Sequence, residues 1–264
     1  MEERTDILDD IVARKRRDIA MWARECPLAE LERQLTDTAP HRSLRRALVA
    51  SPTGIIAEFK RRSPSKGWFN RSADPTQVAP AYERAGAAAL SILADEPFFG
   101  GSVDDIRRTR PLVSLPVLCK DFILSRYQLV RARLVGADAV LLIAAVLTPG
   151  ECRALTHEAH ELGLEVLLEV HRREELDYVS DDVDVVGVNN RDLGTFHTDP
   201  ARSLELADAF PGNVVRISES GLSSAADVVL LHRAGYSGFL IGESFMRSGD
   251  PGAALRTFIQ SVDL

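Results

Sequence analysis

The chain has 264 residues, 45% of them apolar and 27% charged, with a net charge of −7 and a pI near 5.5. That length suits one large α/β barrel domain or two small domains, and the acidic balance argues against nucleic acid, since the basic stretch "RRSPSK" is too short to change it. Cys26, Cys119 and Cys152 show neither metal-like spacing nor a disulfide framework. No run approaches ~18 apolar residues, and "MEERTDILDD" lacks a signal peptide's apolar core, so the expectation is a soluble protein of a reducing cytoplasm with no membrane partner.

From the N-terminus, Ile7, Leu8, Ile11, Val12 and Ile19 recur at helical spacing, and "PLAELERQL" and "SLRRALV" continue the pattern, which predicts a helical extension over residues 1–50. From Gly54 the rhythm changes. Eight short β-rich apolar runs follow: "GIIAEF", "AALSILA", "LPVLCK", "ADAVLLIAA", "EVLLEV", "DVVGVN", "NVVRIS" and "SGFLIG". Helix-like segments lie between them, such as "DPTQVAPAYERAG", "SRYQLVRARLVG" and "TPGECRALTHEAHELG". Gly86, Gly136, Gly163 and Gly235 separate helix from following strand, where glycine accepts the left-handed cap. Near-continuous apolar strands alternating with helices predict a parallel sheet covered on both sides, and eight such units fit a closed (β/α)8 barrel. No break in composition marks a second domain, so residues 1–264 are read as one.

The first run ends unusually. In "GIIAEFKRRSPSKGW", alternation places Ile56, Glu58 and Lys60 on one face and Ile55, Ala57 and Phe59 on the other. Unpaired ions at the mouth of a core are costly, so a site is the sharper explanation. Only four of the 32 basic residues are lysines, namely Lys15, Lys60, Lys66 and Lys120. Lysine can be tuned for proton transfer, whereas arginine stays charged.

In a (β/α)8 barrel the chemistry sits at the C-terminal ends of the strands. Those ends supply Glu58 and Lys60, "ADEPFFGGS", Lys120, Glu169, Asn189 with Arg191, Glu219 with Ser220 and Gly221, and Gly242 with Glu243; the fourth strand alone ends blandly in "LLIAAVL". A single strand-end charge reads as a solvated loop residue, but charges after five strands would converge on one rim. The loops "ISESGLSSAAD" and "LIGESFMRSGDP" follow the seventh and eighth strands, where barrels often hold phosphate, and Arg191 or Lys60 would add charge. Phe98, Phe99, Phe122 and Trp68 are candidates to receive a flat ring. His157 and His160 fall on an outer helix, and no metal set, nucleotide fingerprint or Ser/His/Asp arrangement stands out. The residues therefore describe a barrel without cofactor or metal, using lysine and glutamate to move protons on a phosphorylated small molecule.

The blocks "IIAEFKRRSPSKG", "PVLCKDFIL", "LLEVH", "GVNNRDL", "SESG" and "LIGES" resemble, in order, those of the indole-3-glycerol phosphate synthase family, from about residue 5 to the end. The resemblance implies ring closure, decarboxylation and dehydration of 1-(2-carboxyphenylamino)-1-deoxyribulose 5-phosphate. It implies Lys120 as the acid for the ketone oxygen, Glu169 as a base and Glu58 as a second carboxylate. Lys60 would contact substrate anions, and which lysine serves which acid step stays open. Asn189 and Glu219 would bind hydroxyls or position Lys120. Ser63, Arg191, Ser220, Gly221, Gly242 and Glu243 would surround the anionic groups, and Phe99, Phe122 and Leu141 would form an apolar wall. Cys119 and Arg126 look atypical, and Cys119 is expected to face away from the pore. Rival readings are an aldolase-type barrel with a Schiff base on Lys120, a related isomerase and a barrel that only binds. A monomer or weak homo-oligomer is expected.

Overall fold

The apolar runs form β1 (Ile55–Phe59), β2 (Ala89–Leu93), β3 (Val117–Lys120), β4 (Ala139–Ile143), β5 (Glu165–Val170), β6 (Val185–Asn189), β7 (Val215–Glu219) and β8 (Gly238–Ile241). The structure is a computed structural model that describes residues 7–37, 41–192, 197–212 and 214–264. Residues 1–6 and 38–40 of the expected extension, Leu193 of "GVNNRDL" and Asn213 of the seventh run lie outside the described residues. The eight strands pair in parallel in the order β1-β8-β7-β6-β5-β4-β3-β2, and β2 pairs with β1 to close the barrel.

Closure explains why these strands read as continuous apolar runs. Alternate residues face either the pore or the helix layer, and both sides are packed. Ile56, Leu118, Leu141, Leu167, Val185, Ile217 and Leu240 belong to the inner cluster. Ile55, Ala57, Phe59, Cys119, Val140 and Val186 belong to the outer cluster beneath the helices. Cys119 thus faces outward while Lys120 faces in, as alternation requires, and burial pushes its thiol up.

Local chemistry starts and stops the helices. Asp74 caps the helix Pro75–Ala85 by accepting from the Thr76 N–H, and Gly86 ends it at φ 102°. Gly136, Gly163 and Gly235 also have positive φ, as their place before the next strand anticipates. Thr148 with Glu151, and Ser224 with Asp227, form capping boxes on the helices Pro149–Glu161 and Ala225–Arg233.

The N-terminal extension contains α1 (Ile7–Glu25), α2 (Leu28–Glu32) and α3 (Leu44–Ala50). It runs from one end of the barrel to the other. At the C-terminal ends of the strands, Ile7, Leu8 and Ile11 of α1 join the cluster that holds Phe98, Phe99 and Phe122. Along the side, Tyr127 donates to the carbonyls of Trp22 and Cys26, and Arg126 bridges Glu32 and Glu161. At the N-terminal ends, Leu44 and Leu48 of α3 enter the inner cluster. There Asp138 accepts from the Arg42 and Val117 N–H groups and pairs with Arg110 at 2.6 Å. The extension is therefore a strap from rim to floor.

Candidate active site

One cavity of about 640 Å³ opens at the C-terminal ends of the strands, with Glu58, Lys60, Lys120, Glu169, Asn189, Arg191, Glu219, Ser220, Gly221, Gly242 and Glu243 in its wall. Phe99, Phe122 and Leu141 line it too. All but one of the site residues that the family resemblance implies therefore meet in one place.

The exception is Ser63. It lies in a small ladder in which Arg62–Ser63 pairs with Gly67–Trp68, its hydroxyl is buried without a partner, and Pro64 and Lys66 take the wall instead. Two ring candidates also leave the cavity. Phe98 packs in the inner cluster beside α1, and Trp68 is exposed, with Arg62 and Arg71 stacked over its ring. Its flat face is occupied by guanidinium groups because the hairpin turns it away from the pore.

At the base of the cavity is an ion cluster. Lys120 Nζ lies 2.9 Å from Glu169 Oε2 and 2.6 Å from Glu219 Oε2. Burial opposes the charge on Lys120, but Glu169, Glu219 and Glu58 outweigh it and hold its pKa above the usual lysine range. The two carboxyls are driven apart. For Glu169, burial raises the pKa, yet Lys120, His171 and Asn189 together bring it below the ordinary value. For Glu219, burial dominates, with Glu169 adding like charge, and its carboxyl is pushed up to about 7. Two neighbouring carboxyls with opposite shifts are a usual sign of acid and base roles.

Close backbone approach makes room for this cluster. A Cβ on Gly187 would overlap Glu219 Oε1, and one on Gly242 would sit 2.7 Å from the Glu58 side chain. Beside them, Glu58 Oε1 holds Lys60 Nζ at 2.6 Å, and Ser91 reaches Glu58 Oε2 at 3.5 Å. The charge pair that seemed misplaced on β1 is thus a bonded pair facing the cavity.

The mouth carries cations. Glu243 pairs with Lys66 at 2.6 Å and with Arg247 at 3.0 Å, and Arg191 lies 3.9 Å away. Arg191 is held by Thr198, and its own N–H donates to Asn189 Oδ1. At the end of β7, Ser220 sits at φ 67°, a left-handed conformation that non-glycine residues seldom adopt, and Gly221 follows at φ 76°. Turned backbone at a strand end of this kind presents N–H groups to an anion. On the opposite wall, Phe99 and Phe122 stand 6.1 Å apart and tilted by 37°, with Leu93, Leu141, Ile143 and Leu240 nearby. The arrangement suits a ligand with a flat ring at one end, an anion at the other and proton chemistry between.

Sequence reasoning gave no place in the wall to Asp121, Thr198, Ser223 and Arg247, and singled out Lys66 only as one of four lysines. Arg247 was accessible, being four residues after Glu243 at helical spacing. Asp121 was hidden because a charge beside Lys120 reads as a turn. Among the described residues, no group of His, Cys, Asp and Glu side chains has the geometry of a metal site. His160 pairs with Asp184 at 2.8 Å and His157 with Glu161 at 3.6 Å, both outside the cavity. No helix among the described residues is long and apolar enough to cross a membrane.

Comparison with known proteins shows the family. The family model described as "Indole-3-glycerol phosphate synthase" matches residues 8–258. The chain is 51% identical over 257 residues to the indole-3-glycerol phosphate synthase of Bacteroides thetaiotaomicron, covering 97% of this chain and 99% of that protein. It is 46% identical to that of Koribacter versatilis, covering 96% and 97%. Among solved structures, tryptophan synthase subunit alpha from Legionella pneumophila superposes with a TM-score of 0.62 at 14% identity, covering 83% of this chain and 98% of that one, which shows the shared barrel fold. The lysine–glutamate rim and the near full-length match lead to one conclusion: the chain belongs to the indole-3-glycerol phosphate synthase family.

Proposed function

We propose that the chain converts 1-(2-carboxyphenylamino)-1-deoxyribulose 5-phosphate to indole-3-glycerol phosphate, carbon dioxide and water, a step of L-tryptophan biosynthesis. The observation that carries this reading is Lys120, held charged between Glu169 and Glu219 in a cavity with an aromatic wall and a cationic mouth. The 5-phosphate would lie near Ser220, Gly221, Gly242 and the Glu243 N–H, with Arg191, Lys60 and Lys66 countering its charge. The carboxyphenyl ring would lie against Phe99, Phe122 and Leu141. Ser63 is not assigned to the wall and would act only through the loop that carries Pro64 and Lys66.

The chemistry follows from the charges. When the ring carbon attacks the ketone, its oxygen becomes an alkoxide more basic than an amine, so even a lysine with a raised pKa can protonate it. The ammonium also stabilises the charge as it develops, from a side chain that is itself only 12% exposed. Loss of carbon dioxide then restores the aromatic ring. Dehydration needs an acid at the new hydroxyl and a base for a ring proton. Glu169, kept ionised by Lys120 and His171, is our base. Glu219, which carries its proton over part of the neutral range, and Lys60, held by Glu58, are the groups near enough to take part on the acid side. Asn189 steadies Glu169.

A Schiff-base aldolase would need a neutral amine at Lys120, whereas its carboxylate partners favour the ammonium form. The test is to mix purified protein with the carboxyphenylamino-deoxyribulose phosphate in EDTA and follow indole fluorescence. Growth of product emission supports the reading. A folded protein that binds the substrate without forming indole would overturn it, and a borohydride-trapped adduct on Lys120 would favour the aldolase.

A further inference from the structure

Lys15 takes no part in the cluster above, yet its side chain is only 2% exposed, against 12% for Lys120 and 14% for Lys60. Its ammonium reaches up from α1 and pairs with Asp95 Oδ2 at 2.8 Å and Asp121 Oδ1 at 2.7 Å. Burial opposes its charge, but the two carboxylates hold the ammonium protonated.

The two partners have parallel duties. Asp95 lies just past the end of β2, and its Oδ1 accepts from the Phe98 N–H at 2.9 Å, which starts the turn Glu96–Phe99. Asp121 follows the end of β3, and its Oδ1 accepts from the Phe122 N–H at 2.8 Å. Each carboxylate therefore fixes the backbone that carries one of the two rings in the aromatic wall. One ammonium joins both carboxylates. Ile7, Leu8 and Ile11, on the same helix, pack in the cluster that contains Phe98, Phe99 and Phe122.

We propose that Lys15 is a positioning residue for recognition of the substrate's aromatic ring. By bridging Asp95 and Asp121 it sets how Phe99 and Phe122, in contact at 6.1 Å, stand relative to one another, and so the shape of the aromatic wall they form. The proposal rests on the reading of that wall as the ring site. It differs from a purely structural role because it concerns one end of the cavity: the mouth is built from the first loop and the segments after β6, β7 and β8, whereas Lys15 pairs with residues after β2 and β3.

The test uses the full chain with Lys15→Met and Lys15→Arg. KM and kcat are measured with the carboxyphenylamino-deoxyribulose phosphate, and inorganic phosphate is measured as a competitive inhibitor to report on the mouth alone. For folded Lys15→Met, KM should rise by about tenfold or more while kcat stays within about threefold and phosphate inhibition is unchanged. Lys15→Arg should recover most of the KM, since a guanidinium can bridge two carboxylates. An unchanged KM in folded Lys15→Met would overturn the proposal, as would an equal weakening of substrate and phosphate. Should that variant not fold, Lys15→Met with Asp95→Asn and Asp121→Asn removes the stranded charges with the bridge. A raised KM there supports the proposal, and a normal KM overturns it. A wild-type protein with no turnover would instead strike the functional reading.

Discussion

Lys120 holds a charge that burial alone would remove. Its two carboxylate partners reverse that, so the cation and its anions depend on one another. Lys120→Met should lower kcat by about a thousandfold, the scale of a lost general acid, while substrate binding measured by fluorescence titration stays within severalfold. Near-normal turnover would remove Lys120 from the acid role. Glu219 makes a second, pH-dependent prediction. Its folded-state carboxyl is pushed up to about 7 from an ordinary 4.5, so between those values the folded chain binds more protons than the unfolded one. Stability contributed at this site is therefore lost as pH rises through that window. Glu169 has the opposite sign, contributing at neutral pH and losing its contribution as pH falls below 4.5. Thermal melts of Glu219→Gln should gain on wild type as pH rises from about 5 to about 7.5, and parallel melting curves would contradict the shift.

The strands were legible because closure packs both of their faces, and each strand keeps a nearly pure apolar signal up to its functional end. The glycine stops were legible for a local reason, the left-handed cap. Lys15 was not, although it was one of four lysines, because helical periodicity assigns charges to water. Its carboxylate partners lie on two other elements that no spacing rule connects to it. Trp68 was misplaced for a similar reason, since a two-residue ladder decides where the ring points. Gly187 shows how a strand interior serves its neighbour. In β6 it looks like an ordinary weak point, but it gives Glu219 of β7 the space a side chain would fill. Gly187→Ala should leave a folded barrel, destabilised by about 1–3 kcal/mol as overpacking usually is, with kcat reduced by about a hundredfold because the carboxylate must move. Urea melts and steady-state kinetics on the same preparation separate the two effects. Full activity would mean that the position of Glu219 is less constrained than the packing requires.

Across the whole molecule, the two ends of the barrel have different duties. The rim gathers titratable groups with opposed pKa shifts, whereas the floor uses its buried charge as a fastener. Asp138 shows the second use, taking N–H groups from Arg42 and Val117 and pairing with Arg110. Asp138→Ala strands the Arg110 charge and leaves the Arg42 N–H ahead of α3 without its acceptor, so it should cost about 3–5 kcal/mol in urea unfolding. At temperatures where the variant stays folded, kcat should change by less than about twofold, since the rim is untouched. A large loss of kcat would show that floor and rim are coupled.

The strap also bears on the order in which the chain is made. Its first helix leaves the ribosome before any of the groups that bury Lys15 exist, because Asp95 and Asp121 are translated roughly a hundred residues later. Until then Lys15 stays in water. Glu169 and Glu219 follow later still, so Lys120 is made well before the carboxylates that offset its burial in the folded barrel. The ion cluster at the base of the cavity therefore cannot assemble until Glu219 has been made.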